Sequence, residues 1–471
     1  MTAMAWRRMR PRARALGVLL VVLAAGSLFL PGLGATPLVD WDESIYAAVG
    51  RAVHDGSALR LEWNGAAYDR KPPLLFWAIA ASYELLGVSE LATRLPSALA
   101  GIATVAIVAL AVSRRAGILA GLLSSSCLLG SALFLERGGR RACTDALLIL
   151  FSVFALWRAT AATTTRRNVV QAGIAVGLAI LSKGAAGILA PAALLLAAPL
   201  DAARRRVAFE VAVIGAVVAL PWYAAQVWFR GRGFLASHFG YELIERAMRP
   251  IHGVGAPWSY PLTVLWENGG TWIAVVPLLV LLSRWTDRAT WRATLPWLCA
   301  AALVLGAAIS MQTKLPWYPL PALPMLAVAA GMSLAGAARP KVPAARLVSV
   351  VLLAVAAGSS LLGSVQARRA VLDDEMQFEA FRMLGGQIAA RLADEPFIGA
   401  TRENPTLVFY GGRPIRVYPA GELNRLLLDP TELPRAALID EVDAPAVLEL
   451  GAEELSRFGD RVLVRYVPLE G

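Results

Sequence analysis

Acidic and cationic side chains interrupt this hydrophobic sequence in short clusters, and they are the residues best suited to chemistry. An early cluster contains Asp42 and Glu43, and the next contains Arg70 and Lys71. A carboxylate near a membrane surface is a suitable general base, because burial raises its pKa towards the working pH. A lysine at the same surface can bind a lipid phosphate as a compact point charge. Together these groups suit a reaction in which a base activates a hydroxyl while cations hold a departing phosphate.

Later stretches of the chain add residues of the same kinds. Asp145 would be costly in contact with lipid, so we expect it to face a cavity or a basic partner. His252 is a single histidine in a long loop, where a structural or solvated role is commoner than a catalytic one. The candidate residues of these stretches are Arg140, Arg141, Asp145, Lys183, Arg249, His252, Lys314 and Tyr318.

Each candidate also has an ordinary structural explanation. Asp42 and Glu43 precede a segment with helical spacing, and acids are favoured at the N-terminus of a helix. Lys71 precedes an apolar segment, where a lysine often extends its ammonium group towards water. No single residue is specific, so the hypothesis of catalysis depends on their occurrence together.

The mixed clusters alternate along the chain with clusters that contain only arginine. Such arginines occur at positions 114–115, 166–167 and 204–206, each next to an apolar segment. Arginine-rich loops of this kind are cytoplasmic under the positive-inside rule. The mixed clusters then lie on the opposite face, so we expect the N-terminus in the cytoplasm and the chemistry outside it.

The composition is that of a membrane protein. Of the 471 residues, 57% are hydrophobic and 17% are charged, whereas about a quarter of the residues of a typical globular chain are charged. The net charge of +11 comes largely from arginines beside apolar segments, so it indicates contact with anionic lipid rather than with nucleic acid. Three cysteines provide no disulfide framework. The richness in alanine and arginine is typical of a GC-rich bacterial genome, and we expect a multi-pass protein of the bacterial inner membrane.

Apolar segments predict a mainly α-helical bundle with about eleven membrane spans. Residues 1–365 would form this bundle, with long outer loops at 34–94 and 229–261. The first loop contains Pro72 to Leu86, which is too short for a span and predicts a helix at the membrane surface. The segments lie near residues 15–33, 95–113, 116–135, 145–160, 168–183, 184–200, 207–228, 262–283, 293–311, 317–337 and 345–365.

Residues 366–471 have a mixed polar composition and predict a small soluble α/β domain on the outer side. Helical periodicity runs from about Met376 to Leu392. The apolar runs Leu407 to Tyr410 and Ile415 to Tyr418 flank two glycines and predict a hairpin or tight loop. We identify no catalytic cluster in this domain.

Several motifs resemble those of one known superfamily. The segments DWDESIY, YDRKPPLLFW, RRACTDALLILFSVFAL, GLAILSKGAAGILAPA and KLPWYPLPALP occur in that order. They closely resemble the GT-C glycosyltransferases, in particular the bacterial protein O-mannosyltransferase-like and aminoarabinose-transferase-like enzymes. The likeness extends over roughly residues 36–336.

The resemblance implies a GT-C fold, a polyprenyl-phosphate sugar as donor and transfer that inverts the anomeric carbon. The acceptor would be a group on a lipid, glycan or protein at the outer face of the bilayer. By likeness, Asp42 is the general base, Asp145 is a second acidic residue near the acceptor or a metal, and Lys71 contacts the donor phosphate. Arg70, Arg141 and Lys314 would add positive charge there, and Glu43, Lys183, Arg249, His252 and Tyr318 would line the cavity.

One motif departs from the family pattern. Relatives resembling the aminoarabinose transferase often have Glu-Lys-Pro-Pro, where this chain has Arg70-Lys71-Pro72-Pro73. Loss of that carboxylate weakens any metal site that it would form with His252, so a divalent metal stays an open alternative. The main rival function is a transporter or flippase for a lipid-linked sugar, which favours charges near the bilayer midplane rather than at segment ends. A scaffolding membrane protein is a second rival, and it requires no clustered acids and cations.

Overall fold

The computed structural model describes residues 11–161, 163–198, 201–251, 255–286, 288–337, 343–419, 421–423, 434–449 and 451–466. Contacts between residues divide the chain into two compact units. The first unit comprises Met1–Leu33, Asp69–Ala78 and Arg94–Val371, and the second comprises Gly34–Tyr68, Ile79–Thr93 and Leu372–Gly471. Much of the opening loop therefore belongs to the same unit as the C-terminal residues.

Helices make up most of the described chain. In chain order they are α1 (Pro11–Phe29), α2 (Asp42–His54), α3 (Leu74–Leu86), α4 (Glu90–Ala116), α5 (Ile118–Leu129), α6 (Ala132–Leu135), α7 (Thr144–Ala159), α8 (Arg166–Lys183), α9 (Leu189–Leu196), α10 (Ala202–Arg230), α11 (Arg232–Leu235), α12 (Arg246–Met248), α13 (Tyr260–Gly269), α14 (Val276–Thr286), α15 (Arg288–Ser310), α16 (Ala322–Ala337), α17 (Pro343–Met376), α18 (Glu379–Arg391), α19 (Pro405–Gly411) and α20 (Ala444–Glu449). Two π-helices, Glu136–Arg140 and Ala236–Glu245, and two 3-10 helices, Gly184–Ile188 and Thr271–Val275, lie between them.

The chain is a multi-pass membrane protein. Among the described residues, six helices are long and apolar enough to cross a bilayer, or eight if each of two bent pairs counts as one span. The bent pairs lie at Ile118–Arg140 and Tyr260–Leu281, and their helices meet at 79° and 112° respectively. The expected count of eleven spans is not confirmed. One reason is that Arg166–Leu196, which the sequence suggested as two segments, forms a single candidate span with a break after Lys183.

Small residues allow α8 and α10 to pack closely in the first unit. A side chain at Gly173 would overlap Ile214, and one at Gly177 would overlap Val218. Such contacts are typical of membrane helices, whose association depends on close packing rather than on the hydrophobic effect.

Two fully buried arginines stabilise the end of α1 in the first unit. Arg94 donates to the carbonyl of Leu33 at 3.0 Å, and Arg140 donates to the carbonyls of Phe29 and Pro31 at 3.0 Å each. Carbonyls at the C-terminus of a helix have no partner within the helix and carry partial negative charge. Arg140, a candidate from the sequence, therefore has a structural role.

The second unit contains a five-stranded sheet in the order β4-β3-β5-β7-β6. Strands β3, β4 and β5 are parallel, whereas β7 is antiparallel to β5 and β6. A separate two-stranded hairpin, β1-β2, belongs to the opening loop. The strands are β1 (Glu62–Trp63), β2 (Ala66–Ala67), β3 (Ile398–Ala400), β4 (Ile415–Val417), β5 (Ala436–Asp440), β6 (Ala452–Phe458) and β7 (Arg461–Tyr466).

Of the two alternatives predicted for Leu407 to Tyr418, a hairpin or a tight loop, the hairpin is wrong. The run Leu407 to Tyr410 lies in helix α19 rather than in a strand of a hairpin. The Asn404 side chain accepts from the Leu407 N–H, Pro405 occupies the first turn, and Gly412 ends the helix at φ 67°. These are the signals for the start and end of a helix, and they outweigh the β propensity of the short apolar run.

Other helical predictions are confirmed. Helix α3 begins after the two prolines that follow Lys71 and ends before Gly87, which has φ 75°. Helix α18 covers most of the predicted segment from Met376 to Leu392. In both cases the hydrophobic spacing and the residues that end the helix agree.

Candidate functional site

Asp40 and Glu43 of the acidic cluster hold the backbone of the second unit. The Asp40 carboxylate accepts from the backbone N–H of Thr406 at 3.2 Å and from its hydroxyl at 2.9 Å. The buried Glu43 carboxylate accepts from the Val39 N–H at 2.9 Å. These two acids thus satisfy backbone donors near the first turns of α19 and α2 respectively.

Asp42 occupies the first residue of α2 and is half-buried. Trp41 before it has φ 64°, which is unusual for a bulky residue. Its carbonyl accepts from the Ile45 N–H at 2.8 Å, so the turn is held by the helix that follows. Strained residues of this kind concentrate at functional sites. The position also suits a helix-capping acid, so capping and catalysis are both compatible with this geometry.

Lys71 lies in the first unit and forms an ion pair with Glu242. The side chains of Lys71 and Glu242 are 15% and 10% exposed, so the pair is largely shielded from water. Arg246 lies 3.2 Å from the other oxygen of the same carboxylate. Two cations from distant parts of the sequence therefore share one carboxylate.

The residues around Lys71 are held by further contacts within the first unit. The buried His238 ring donates from Nδ1 to the Asp69 carbonyl at 3.0 Å, and its Nε2 lies 3.2 Å from the Tyr223 hydroxyl. The Asp69 carboxylate lies 3.2 Å from Arg230. Burial is the main cause that lowers the pKa of His238, which favours the neutral ring and is consistent with one donor and one acceptor nitrogen.

Aromatic rings contact the neighbouring arginines. The guanidinium groups of Arg70 and Arg246 lie 5.6 and 5.7 Å from the centre of the Tyr241 ring. Arg246 also interacts electrostatically with Tyr318, one of the residues predicted to line the cavity. The structure thus brings Arg70, Lys71 and Tyr318 to one network around Glu242 and Tyr241.

Asp145 has a basic partner, as we expected from the high free-energy cost of exposing a carboxylate to lipid. Its carboxylate accepts from Lys183 at 2.5 Å, and its side chain is 4% exposed. Asp145 lies in the first turn of α7, and Lys183 is the last residue of α8. Each charge therefore lies at the helix end that favours its sign.

Arg141 and Lys314 have partners other than a ligand. Arg141 forms an ion pair with Glu136 at 2.8 Å. The buried Lys314 ammonium donates to carbonyls at or just beyond the end of α15, those of Ala308, Ile309 and Met311. These bonds use all three ammonium donors, so Lys314 caps a helix, and its expected role at the donor phosphate stays a prediction.

The second long loop is described only in part. Arg249 is exposed, and its carbonyl accepts from the Thr313 hydroxyl at 2.8 Å. His252 lies outside the described residues. Within the described ranges, no group of three or more His, Cys, Asp or Glu side chains has an arrangement that could hold a metal ion.

Most members of the network around Lys71 were missed by the sequence reasoning. A weak signal exists in YELIER, where an acid and a base four residues apart share one helical face. A signal for pairing with Lys71 is absent, because Glu242 lies 171 residues away. The missed residues are Asp69, Tyr223, Arg230, His238, Tyr241, Glu242 and Arg246.

Sequence comparisons connect the chain with known glycosyltransferases. The profile described as Dolichyl-phosphate-mannose-protein mannosyltransferase matches residues 70–229, about a third of the chain. An undecaprenyl phosphate-alpha-4-amino-4-deoxy-L-arabinose arabinosyl transferase of Pseudomonas fluorescens is 28% identical over 328 residues, which are 67% of this chain and 59% of that protein. An uncharacterized protein of Aquifex aeolicus is 30% identical over 177 residues, which are 37% of this chain and 36% of that protein. The chain thus spans less than two thirds of the length of these two relatives.

Solved structures show the fold. The crystal structure of ArnT from Cupriavidus metallidurans bound to undecaprenyl phosphate has a TM-score of 0.80 and 22% identity, and covers 96% of this chain and 98% of that one. The Archaeoglobus fulgidus oligosaccharyltransferase has a TM-score of 0.57 and 14% identity, and covers 94% of this chain and 72% of that one. The predicted GT-C fold and the resemblance to the aminoarabinose-transferase-like superfamily are confirmed.

Proposed function

We propose that this chain, which has the fold of ArnT, is a membrane glycosyltransferase that moves a sugar from a polyprenyl-phosphate donor to an acceptor at the outer face of the bacterial inner membrane. The observation that carries the proposal is the shielded cluster of Lys71 and Arg246 around Glu242. Lys71 lies next to the start of the region that matches the mannosyltransferase profile. Shielded cations are the groups that stabilise a departing phosphate.

Glu242 occupies the position that an anionic ligand would take between the two cations. Its carboxylate contacts Lys71 through one oxygen and Arg246 through the other. The donor phosphate is a diester with one negative charge, but the polyprenyl phosphate that departs is a monoester with about two, so it would compete with Glu242 for both cations as the bond breaks. Arg70, which contacts Tyr241 in the same network, adds a further positive charge.

The reaction is a displacement at the anomeric carbon. By resemblance to the family, we assign Asp42 to take the proton of the acceptor hydroxyl while the acceptor oxygen forms a bond to that carbon from the face opposite the phosphate. The bond from the anomeric carbon to the phosphate oxygen breaks, its electron pair leaves with the polyprenyl phosphate, and the configuration inverts. Lys71 and Arg246 then bind the phosphate as its negative charge grows.

Other residues orient these groups. His238 and Arg230 hold Asp69, two residues before Lys71, and so restrict the position of the lysine. Asp145 is the proposed second catalytic carboxylate, oriented by Lys183. We assign acceptor contacts to Glu43, Arg249, His252 and Tyr318, and phosphate contacts to Arg141 and Lys314, by resemblance to the family alone.

A direct test is transfer of label by the purified full-length protein from a radiolabelled undecaprenyl-phosphate sugar to lipid, glycan and protein acceptors. Asp42→Asn should lower turnover by about 10²- to 10⁴-fold, the usual contribution of a positioned base. Asp55→Asn is a matched control, because Asp55 is an exposed acid at the far end of α2. Unchanged turnover of Asp42→Asn would remove Asp42 from this role.

The same preparation distinguishes the rival function. In sealed liposomes a flippase would move the labelled donor across the bilayer without altering it chemically. Label that changes leaflet but never reaches an acceptor would therefore overturn the proposed transferase activity.

A further inference from the structure

A cavity of about 620 Å³ opens within the first unit and shares no residue with the site described above. Its lining includes five arginines that come from four helices, α4, α8, α10 and α15, and these are Arg115, Arg166, Arg204, Arg206 and Arg292. Among the described residues of the lining, Asp201 and Glu210 are the two carboxylates. The cavity therefore has an excess of positive charge.

Both carboxylates already have partners. Glu210 lies 2.8 Å from Arg166 and 2.8 Å from Arg206. Asp201 caps α10 by accepting from the Arg204 backbone N–H at 3.0 Å. Within the part of the lining that the structure describes, no third acid matches the positive charge of Arg115 and Arg292.

Backbone carbonyls hold two of the guanidinium groups in position. Arg204 donates to the carbonyl of Ala197 at 3.0 Å and to that of Arg292 at 3.4 Å. Arg115 donates to the carbonyl of Thr160. These side chains are ordered before a ligand binds, which lowers the entropic cost of binding.

Three helices begin at the cavity, namely α8, α10 and α15. Residues from the first two or three turns of each of them line it. The N-terminus of a helix carries partial positive charge and unpaired N–H groups, which favour anions. The helix N-termini and the arginines therefore both favour a negatively charged ligand.

We propose that this cavity binds the phosphate-bearing headgroup of an anionic phospholipid. Arginine matches phosphate oxygens through two parallel hydrogen bonds. Apolar groups of Ala159, Val169 and Pro296 line another part of the cavity and suit the start of an acyl chain. The arginine-rich helix ends correspond to the cytoplasmic leaflet under the positive-inside rule, and basic pockets between helices on that side are suited to anionic headgroups.

Native mass spectrometry of the purified full-length protein tests this site with added phosphatidylglycerol and phosphatidylethanolamine. Wild-type protein should bind phosphatidylglycerol more tightly. The double variant Arg204→Gln/Arg292→Gln should bind it about 10- to 30-fold more weakly, since each basic residue near a lipid headgroup contributes about one kcal/mol. Arg292→Gln alone leaves the Arg204 bonds intact and should give a smaller loss in the same direction.

Arg12→Gln/Arg14→Gln is the matched control, because it removes two arginines from α1 and none from the cavity. It should bind phosphatidylglycerol like the wild type. An equal loss in both double variants, or no preference between the two lipids, would overturn the proposal. Displacement of the lipid by millimolar inorganic phosphate, with binding that depends on the same arginines, would assign the site to a soluble anion and also reject a lipid headgroup.

The single Arg292→Gln variant also serves as a control in case the double variant does not fold. It should elute as a monodisperse peak and transfer sugar at the wild-type rate, because the cavity shares no residue with the proposed active site. If this folded variant retained full lipid affinity, the assignment of the headgroup to this cavity would be wrong.

Discussion

The first unit contains two lysine–carboxylate pairs that differ in charge balance. Lys183 and Asp145 pair one to one at 2.5 Å, with Asp145 at the start of one helix and Lys183 at the end of another. Glu242, in contrast, is shared by Lys71 and Arg246. The first arrangement is electrically balanced, whereas the second has two cations for one carboxylate.

This difference distinguishes a carboxylate that is held by one lysine from a site with attraction left for a phosphate. A buried, balanced pair has little to gain from a further anion, since each charge is already neutralised by its partner. A shared carboxylate leaves attraction for a phosphate, because a second cation stands beside it. The sequence offered Lys71 for the donor phosphate and Lys183 for the cavity lining by resemblance alone, and only the structure shows the partners of each.

The largest expected effect tests the balanced pair. Asp145→Ala leaves the Lys183 charge buried without its partner, so we expect a loss of about 3–5 kcal/mol in stability. The double variant Asp145→Ala/Lys183→Met removes both charges and should recover much of that loss. Thermal unfolding of the detergent-solubilised protein, followed by size-exclusion chromatography, measures both. Single and double variants of equal stability would show that the pair is not structural.

The next effect concerns the donor. Lys71→Ala removes a charged hydrogen-bond donor, which contributes about 1.5–3 kcal/mol, so the donor KM should rise about 10- to 100-fold. Lys71→Arg keeps the charge and should retain part of the affinity. Initial rates at varied donor concentration measure both variants. A donor KM that does not change in Lys71→Ala contradicts the phosphate assignment.

Glu242→Gln tests the same site, and we expect a smaller change in the donor KM than for Lys71→Ala, in the opposite direction. Removal of the carboxylate takes away one competitor for Lys71 and Arg246, so the donor KM should fall, by only about threefold because in a shielded pair the attraction is largely offset by the cost of desolvation. The same rate measurements apply. A rise in KM would instead mean that Glu242 positions Lys71 for the donor.

The smallest effect concerns pH. Burial lowers the pKa of His238, so the folded protein holds the neutral ring and its stabilising contribution is present above the ordinary histidine pKa of about 6.5. That contribution is lost as the pH falls through the lower pKa of the folded state. Thermal stability at acid and neutral pH should therefore differ less in His238→Gln than in the wild type. The same pH dependence in both proteins would exclude His238 as its source.

The sequence by itself determined the membrane class, the GT-C resemblance and several helices. Hydrophobic composition requires burial in lipid, and signals such as the two prolines before α3 and Gly87 after it act within one turn of the chain. Such local signals are legible without a structure, because the residues that interact are neighbours. The number of membrane spans was harder to predict from the sequence, because 3-10 breaks and bends interrupt apolar segments without a change in their composition.

Only the tertiary structure decided which charges meet. Glu242 lies 171 residues from Lys71, and Asp145 lies 38 residues from Lys183, so no periodicity relates either pair. Lys314, a candidate by motif, instead donates to the carbonyls at the end of α15. Electrostatic interactions depend on distance in space and on exclusion of water, and both are properties of the packed helices rather than of spacing along the chain.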